Sequence, residues 1–305
     1  MASWDFDSEA ANAGKLVGVV GLWSPVGEWL IRRLLQKGYK VVSALPTSPE
    51  QAAELMGMAG AEESLELREA DLLDYASLTH AFSGCSAIFL TSPPADSLNG
   101  LPEYPAEAIE GEVRSTLNVV EACANVSSVK RLLLTSCAST MVFDVRQSPN
   151  GVQTVDERCW SNLDFCRENK LWGAVSKTLA EKAAWALARD RGVDLVVINP
   201  ATVVGPYATT TSHSLMSSLK ERKQNAVMAY AHVDDVAEAH IQAFEKPSAS
   251  GRFLCFHRLF SNNETRELRD TPYSAQSLDS RTKNSMWWME SRKYIYEYPR
   301  ERKVN

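Results

Sequence analysis

Residues 16–27 read Leu-Val-Gly-Val-Val-Gly-Leu-Trp-Ser-Pro-Val-Gly, and this stretch decides the fold. Leu16–Val20 is a short apolar run of strand character. Gly21 to Gly27 forms a turn, and Val26, Leu30 and Leu34 then recur at helical spacing. The same alternation continues outward along the chain. Lys40–Leu45 predicts a second strand, broken by Pro46, Thr47, Ser48 and Pro49. Leu65–Glu69 and Ala87–Leu90 predict two more strands. A long amphipathic helix is expected over Ala106–Ala124, with Ile109, Val113, Leu117 and Val120 on one side. Arg131–Thr135 reads as a buried strand, Lys170–Arg189 as a helix, and Leu195–Asn199 as a strand stopped by Pro200. Strands separated by helices mean βαβ units and a parallel sheet covered on both faces.

In such a fold the turn between the first strand and first helix is where a dinucleotide's phosphates sit, at a helix N-terminus. The expected fold class is therefore α/β, a Rossmann-type doubly wound parallel sheet with a small C-terminal substrate lobe. Gly21 and Gly27 keep the turn open. Ser24 adds a side chain where backbone must approach a pyrophosphate, although its hydroxyl can donate a hydrogen bond. Pro25 has no N–H to offer, and it also suits the first position of a helix. Dinucleotide binding of reduced strength is expected.

Bulk properties fit a soluble, enzyme-sized protein. The chain has 305 residues, enough for one large core, and carries a net charge of −6. That balance argues against a nucleic-acid partner, which calls for a basic face. No apolar run approaches the roughly 20 residues of a membrane span. Residues 1–14 are acidic and lack an apolar core, so they read as a loose leader, and a cytoplasmic location is expected. None of the six cysteines forms a Cys-x-x-Cys pair, and the five histidines lack metal-ligand spacing. Cys159 and Cys166 are close enough in sequence to pair, but two reduced thiols are the plainer expectation.

Several further segments, taken together, resemble one family. They are Asp71-Leu72, Ser92-Pro93, Asn118-Val-Val-Glu-Ala-Cys123, Cys159-Trp-Ser-Asn-Leu-Asp-Phe-Cys166, Lys170-Leu-Trp-Gly-Ala-Val-Ser-Lys177, Asn199-Pro-Ala-Thr-Val-Val-Gly-Pro206, Val233-Asp-Asp-Val-Ala-Glu-Ala-His240 and Gly251-Arg-Phe-Leu-Cys255. The chain from about Lys15 to His257 resembles the extended short-chain dehydrogenase/reductases, in the plant cinnamoyl-CoA reductase and dihydroflavonol reductase branch. The resemblance implies a nicotinamide cofactor held by Gly21, Ser24, Gly27, Asp71, Leu72, Ser92, Lys177, Pro200 and Val203. It points to NADP, with NAD as the alternative, because the stretch Ser43 to Ser48 holds neither the acid nor the Arg that usually decides. Thr47 or Ser48 could hydrogen-bond a phosphate, or the stretch is a plain turn. The implied substrate is a small aromatic carbonyl or acyl-CoA.

Three departures touch the chemistry. In the family a Ser holds the substrate oxygen, a Tyr protonates it, and a Lys lowers the Tyr pKa and binds the ribose. In Leu134-Thr-Ser-Cys-Ala-Ser139 the Ser position falls on Cys137, or on Ser136 if the alignment slips by one. The Tyr position holds Gly173, which offers no side chain and costs roughly 1 kcal/mol within a helix. Lys177, four residues on, is retained; it either binds the ribose or pairs with Glu181, also four residues away. The branch's substrate signature, Asn-Trp-Tyr-Cys-Tyr-Gly-Lys, matches only at Trp172 and Lys177.

The expected organisation is a dinucleotide-binding domain over 15–205, a partial substrate lobe over 206–261 interleaved with it, and a divergent tail over 262–305. That tail holds nine Lys or Arg and seven Asp or Glu, so it reads as poorly ordered, although Tyr294, Tyr296 and Tyr298 alternate like a short strand. Two functions stay open. One is a nicotinamide-dependent reductase using Lys177, Cys137 or Ser136, and water in place of Tyr. The other is a nucleotide- or partner-binding protein that has lost catalysis.

Overall fold

The computed structural model describes residues 14–21, 24–44, 48–91, 98, 101–143, 153–205, 228–256, 258–260 and 294–296. The main chain runs β1 (Leu16–Val20), α1 (Pro25–Gln36), β2 (Lys40–Ala44), α2 (Pro49–Met56), α3 (Ala61–Ser64), β3 (Leu65–Arg68), α4 (Tyr75–Ala81), β4 (Ala87–Leu90), α5 (Ala106–Asn125) and β5 (Arg131–Thr135). A 3-10 turn (Ala138–Thr140) follows, then β6 (Gln153–Val155), α6 (Leu163–Glu168), α7 (Trp172–Arg191), β7 (Leu195–Pro200), β8 (Thr202–Val204), β9 (Met228–His232), α8 (Val233–Glu245), β10 (Gly251–Cys255), β11 (Arg258–Phe260) and β12 (Tyr294–Tyr296).

Seven strands form one sheet in the order β10-β7-β5-β4-β1-β2-β3, and every pairing in it is parallel. The order reverses between β1 and β4, which opens a crevice at their C-terminal ends. Side chains alternate between two cores with the strand period of two. Val17, Val19, Val41, Phe89, Leu133, Val196 and Ile198 pack under α1 and α8. Val20, Val42, Ile88, Leu90, Leu132, Leu134 and Val197 pack under α4, α5 and α7. Burial on both faces explains why these strands read as unbroken apolar runs.

The C-terminal part is tied into this frame. β10 forms the sheet edge beside β7. α8 is bonded to α1 through Trp29 and Arg33 to Asp234, at 2.9 and 2.8 Å, and through Lys37 to Glu238 at 3.3 Å. Arg131 pairs with Asp194 at 2.8 Å and donates to the carbonyls of Ala243, Lys246 and Pro247, closing the C-terminal end of α8. β8, β9 and β11 make a separate three-stranded sheet.

Three expectations shift. The long helix buries Ile109, Thr116, Val119, Val120 and Cys123, while Val113 and Leu117 are only half-buried. The helix expected from Lys170 starts at Trp172, because Lys170 takes a left-handed φ of 54° that no helix residue can hold. It runs on to Arg191, where Gly192 ends it at φ 70°. In the expected tail, Tyr294–Tyr296 pairs antiparallel with β6; the rest of 262–305 lies outside the described residues, as do residues 1–13 and 206–227. No described helix is long and apolar enough to cross a membrane.

Candidate functional site

The turn after β1 needs its glycine. Gly21 has φ +93°, and a Cβ there would sit 1.7 Å from the Thr91 carbonyl oxygen at the end of β4. Thr91 seals the approach by donating its hydroxyl to the Gly21 carbonyl at 2.5 Å. Three residues later Ser24 caps α1. Its Oγ accepts the Val26 N–H at 3.1 Å, and its carbonyl accepts the Gly27 N–H at 2.8 Å. Pro25 contributes no N–H. The Val26 and Gly27 N–H groups of α1 are therefore bound back onto Ser24, whose hydroxyl proton is still available to donate. Leu22 and Trp23 lie outside the described residues.

After β3, Asp71 is exposed and folds into a tight local turn, its Oδ1 accepting the Leu73 N–H at 2.8 Å. The Leu72 carbonyl accepts from Asn118 on α5 at 2.9 Å, which anchors the pair to the helix beneath. Ser48 is spent on a capping box with Gln51, favouring the plain-turn reading of that stretch. Thr47 and Ser92 lie outside the described residues.

At the end of β5 the chain separates two candidates. Ser136 is buried and donates its hydroxyl to Glu181 at 2.6 Å. Cys137 is in extended backbone (φ −153°) and half-buried, with its Sγ 3.4 Å from the Ser139 N–H. Successive residues of an extended chain leave on opposite sides, so Ser136 serves the interior and Cys137 is the better placed of the two for a ligand. Pro200 closes β7, paired with Cys255, and Val203 sits on β8 beside Ala231.

Gly173 is buried in the first turn of α7. Next to it, the Trp172 indole donates to the Leu101 carbonyl at 2.9 Å and meets Tyr104 edge-on at 5.4 Å. Lys177 is also buried, and the pairing with Glu181 suggested by spacing does not form. Lys177 Nζ instead lies 2.5 Å from Glu112 Oε1 on α5, and the Ser176 hydroxyl donates to the other oxygen of the same carboxylate. Glu181 faces elsewhere because stronger claims compete for it. Arg252 Nε reaches its Oε1 at 2.5 Å, while Ser136 and Asn199 both donate to Oε2. Arg252 further holds the carbonyls of Glu157 and Cys159 and stacks on Trp160, 3.7 Å from the ring centre.

Nearby, His240 is fully buried between Thr135 Oγ1 and the Val236 carbonyl, each at 2.7 Å. Burial pushes its imidazole down to about 4. A neutral ring that donates from Nδ1 to Val236 and accepts at Nε2 from Thr135 satisfies both contacts. None of the six cysteines forms a disulfide, Cys159 and Cys166 included. No group of His, Cys, Asp and Glu among the described residues is placed to hold a metal ion.

Sequence reasoning missed Glu112, Asn199, Trp160 and Arg252. Glu112 left a signal: it lies between Ile109 and Thr116 on the stripe of α5 that is buried, where a carboxylate calls for a partner. The others are brought in by strand order, which no local pattern encodes.

A family model described as "NAD dependent epimerase/dehydratase family" matches residues 17–254. The chain is 39% identical over 265 residues to cinnamoyl-CoA reductase 1 of Petunia hybrida, covering 84% of this chain and 77% of that protein. It is 38% identical over 250 residues to dihydroflavonol 4-reductase of Zea mays, covering 78% and 68%. Among solved structures, vestitone reductase from alfalfa superposes with a TM-score of 0.68 at 31% identity, covering 83% and 80%. With its parallel seven-stranded sheet, glycine turn and buried Lys177, the chain belongs to the NAD dependent epimerase/dehydratase family, in the branch that holds the cinnamoyl-CoA and dihydroflavonol reductases.

Proposed function

We propose that this protein binds NADP(H) across the C-terminal edge of its sheet, and that it is a reductase-family protein for small aromatic carbonyl or acyl-CoA compounds with weak or lost turnover. The observation carrying this reading is the buried Lys177 one turn after Gly173: the cation is kept and the proton donor beside it is gone. The chain's groups fit a dinucleotide in part. Gly21 lets the turn pass tightly against Thr91 at the end of β4, and Asp71 stands exposed after β3, but the Val26 and Gly27 N–H groups of α1 are already occupied by Ser24. Affinity below that of an open glycine turn follows.

When bound, the reduced nicotinamide would supply a hydride. This chain's residues would orient the ribose through Lys177 and meet the substrate oxygen with the Cys137 thiol, a weak donor. Without a phenol at position 173, general-acid help worth about a hundred- to ten-thousandfold is missing. NADP is preferred to NAD on the relatives alone. A cytoplasmic setting suits six cysteines without a disulfide.

A second reading, a binding protein without turnover, is favoured by the Ser136 hydroxyl being committed to Glu181. Fluorescence titration with NADPH and NADH, followed by turnover assays on aldehydes and acyl-CoA thioesters, separates the two. Saturable NADPH binding with slow turnover supports the reductase reading, and binding with none supports the second. No saturation by either nucleotide at millimolar concentration refutes the reductase reading and leaves, of the second, only a partner-binding protein.

A further inference from the structure

Adjacent residues of α7, Ser176 and Lys177, converge on one carboxylate from α5. Ser176 is fully buried, the Lys177 side chain is 5% exposed, and that of Glu112 is 18% exposed. Helical side chains lean toward the helix N-terminus, so these two cover the turn that contains Gly173. The Glu112 carboxylate therefore stands against α7 on the face that carries Gly173. It is the only ion-pair partner of Lys177 among the described residues. Both of its oxygens are engaged, one by the ammonium and one by the Ser176 hydroxyl, so it is held in place rather than swinging free.

We propose that Glu112 determines which redox form of the nicotinamide dinucleotide this protein prefers; this rests on the reading that Lys177 lies at the nicotinamide ribose. The oxidised ring carries a positive charge and the reduced ring carries none. A lone buried ammonium at the ribose repels the oxidised form specifically. Glu112 cancels that charge at contact distance, so the pair presents a dipole rather than a cation. The site then accepts the oxidised nucleotide far better than it would with Lys177 alone. Of the other charged groups near the end of β5, Glu181 and Arg252 neutralise each other.

The test is the ratio of dissociation constants, oxidised over reduced, measured on the full chain by NADPH fluorescence and its displacement with NADP+. Glu112→Gln keeps the shape and a hydrogen-bond acceptor for Ser176 but removes the charge. The ratio should rise by about tenfold, the scale of one unit charge acting through a protein interior of effective dielectric ~20. Lys177→Met removes the cation and should move the ratio the opposite way. Ser176→Ala breaks a bond to Glu112 without changing charge, so its ratio should stay within about twofold of wild type. A merely structural Glu112 would weaken both redox forms alike and leave the ratio unchanged in Glu112→Gln, which overturns the inference. If Glu112→Gln does not fold, Lys177→Met decides: the ratio must fall, and an unchanged or raised ratio overturns it. Wild type that binds neither form sinks the dinucleotide reading itself, an outcome distinct from binding with an unmoved ratio.

Discussion

One turn of α7 separates two buried charged side chains that are held in contrasting ways. Glu181 is 1% exposed and gathers donors from three strands or their ends: Ser136 after β5, Asn199 on β7 and Arg252 on β10. Among the described residues Lys177 has Glu112 as its one ion-pair partner, and that carboxylate keeps some contact with solvent. The first arrangement ties three strands to one carboxylate, and none can shift without leaving a buried charge unpaired. The second is a single ion pair between two helices, with one partner nearer to solvent. Neighbouring turns of one helix thus differ: at one a carboxylate binds strands together, at the other a cation rests on one carboxylate.

The contrast breaks if the two charged side chains cost the same to remove. Glu181→Ala should destabilise the protein by about 3–5 kcal/mol, the range for stripping one partner from a buried pair. Lys177→Met should cost less than half as much, because Glu112 can then turn to water. Urea unfolding of the two variants measures both, and equal losses would erase the distinction.

The scaffold side also carries a pH signature. His240 lies beneath Thr135, the residue before Ser136, with an imidazole lowered from 6.5 to about 4. A folded-state pKa below the unfolded value means the unfolded chain takes up the proton first. This stability is therefore complete above about pH 6.5 and is lost as pH falls toward 4. At 1.36 kcal/mol per unit, the loss reaches about 2 kcal/mol by pH 5. Unfolding at pH 7 and pH 5 should show that drop, and His240→Asn, less stable at neutral pH, should lose this part of the slope.

The smallest effect belongs to the glycine turn. Ser24→Gly should change stability by only a few tenths of a kcal/mol, the usual difference between these residues at a helix N-cap. It should tighten dinucleotide binding, since the Val26 N–H is released and the backbone is opened. Weaker binding in this variant would show that the Ser24 hydroxyl is itself a phosphate ligand.

Much of this was legible in sequence because it is local. The alternation of runs and turns predicts the parallel sheet, and the register of Gly21 against β1 places the glycine turn at the crevice. Gly173 and Lys177 are found by spacing on one helix. What spacing could not supply is competition among distant groups. Lys177 and Glu181 are four apart and of opposite charge, yet each is taken by a partner 65 or 71 residues away. The choice between Ser136 and Cys137 was likewise open until Glu181 claimed the serine. The alternation at Tyr294 and Tyr296 points to a strand, but its partner, β6, lies far away in the chain and no local pattern names it.

The central claim is that the site retains its cation and lacks its proton donor. Single-turnover hydride transfer from bound NADPH to an aromatic aldehyde or acyl-CoA, compared between wild type and Gly173→Tyr, tests it most directly. The variant places a phenol beside Lys177, and its rate should exceed wild type by at least about tenfold. Wild type turning over in the ordinary enzyme range of about 1–1000 s⁻¹, with Gly173→Tyr slower, would contradict it and mean that another group of this chain already donates the proton.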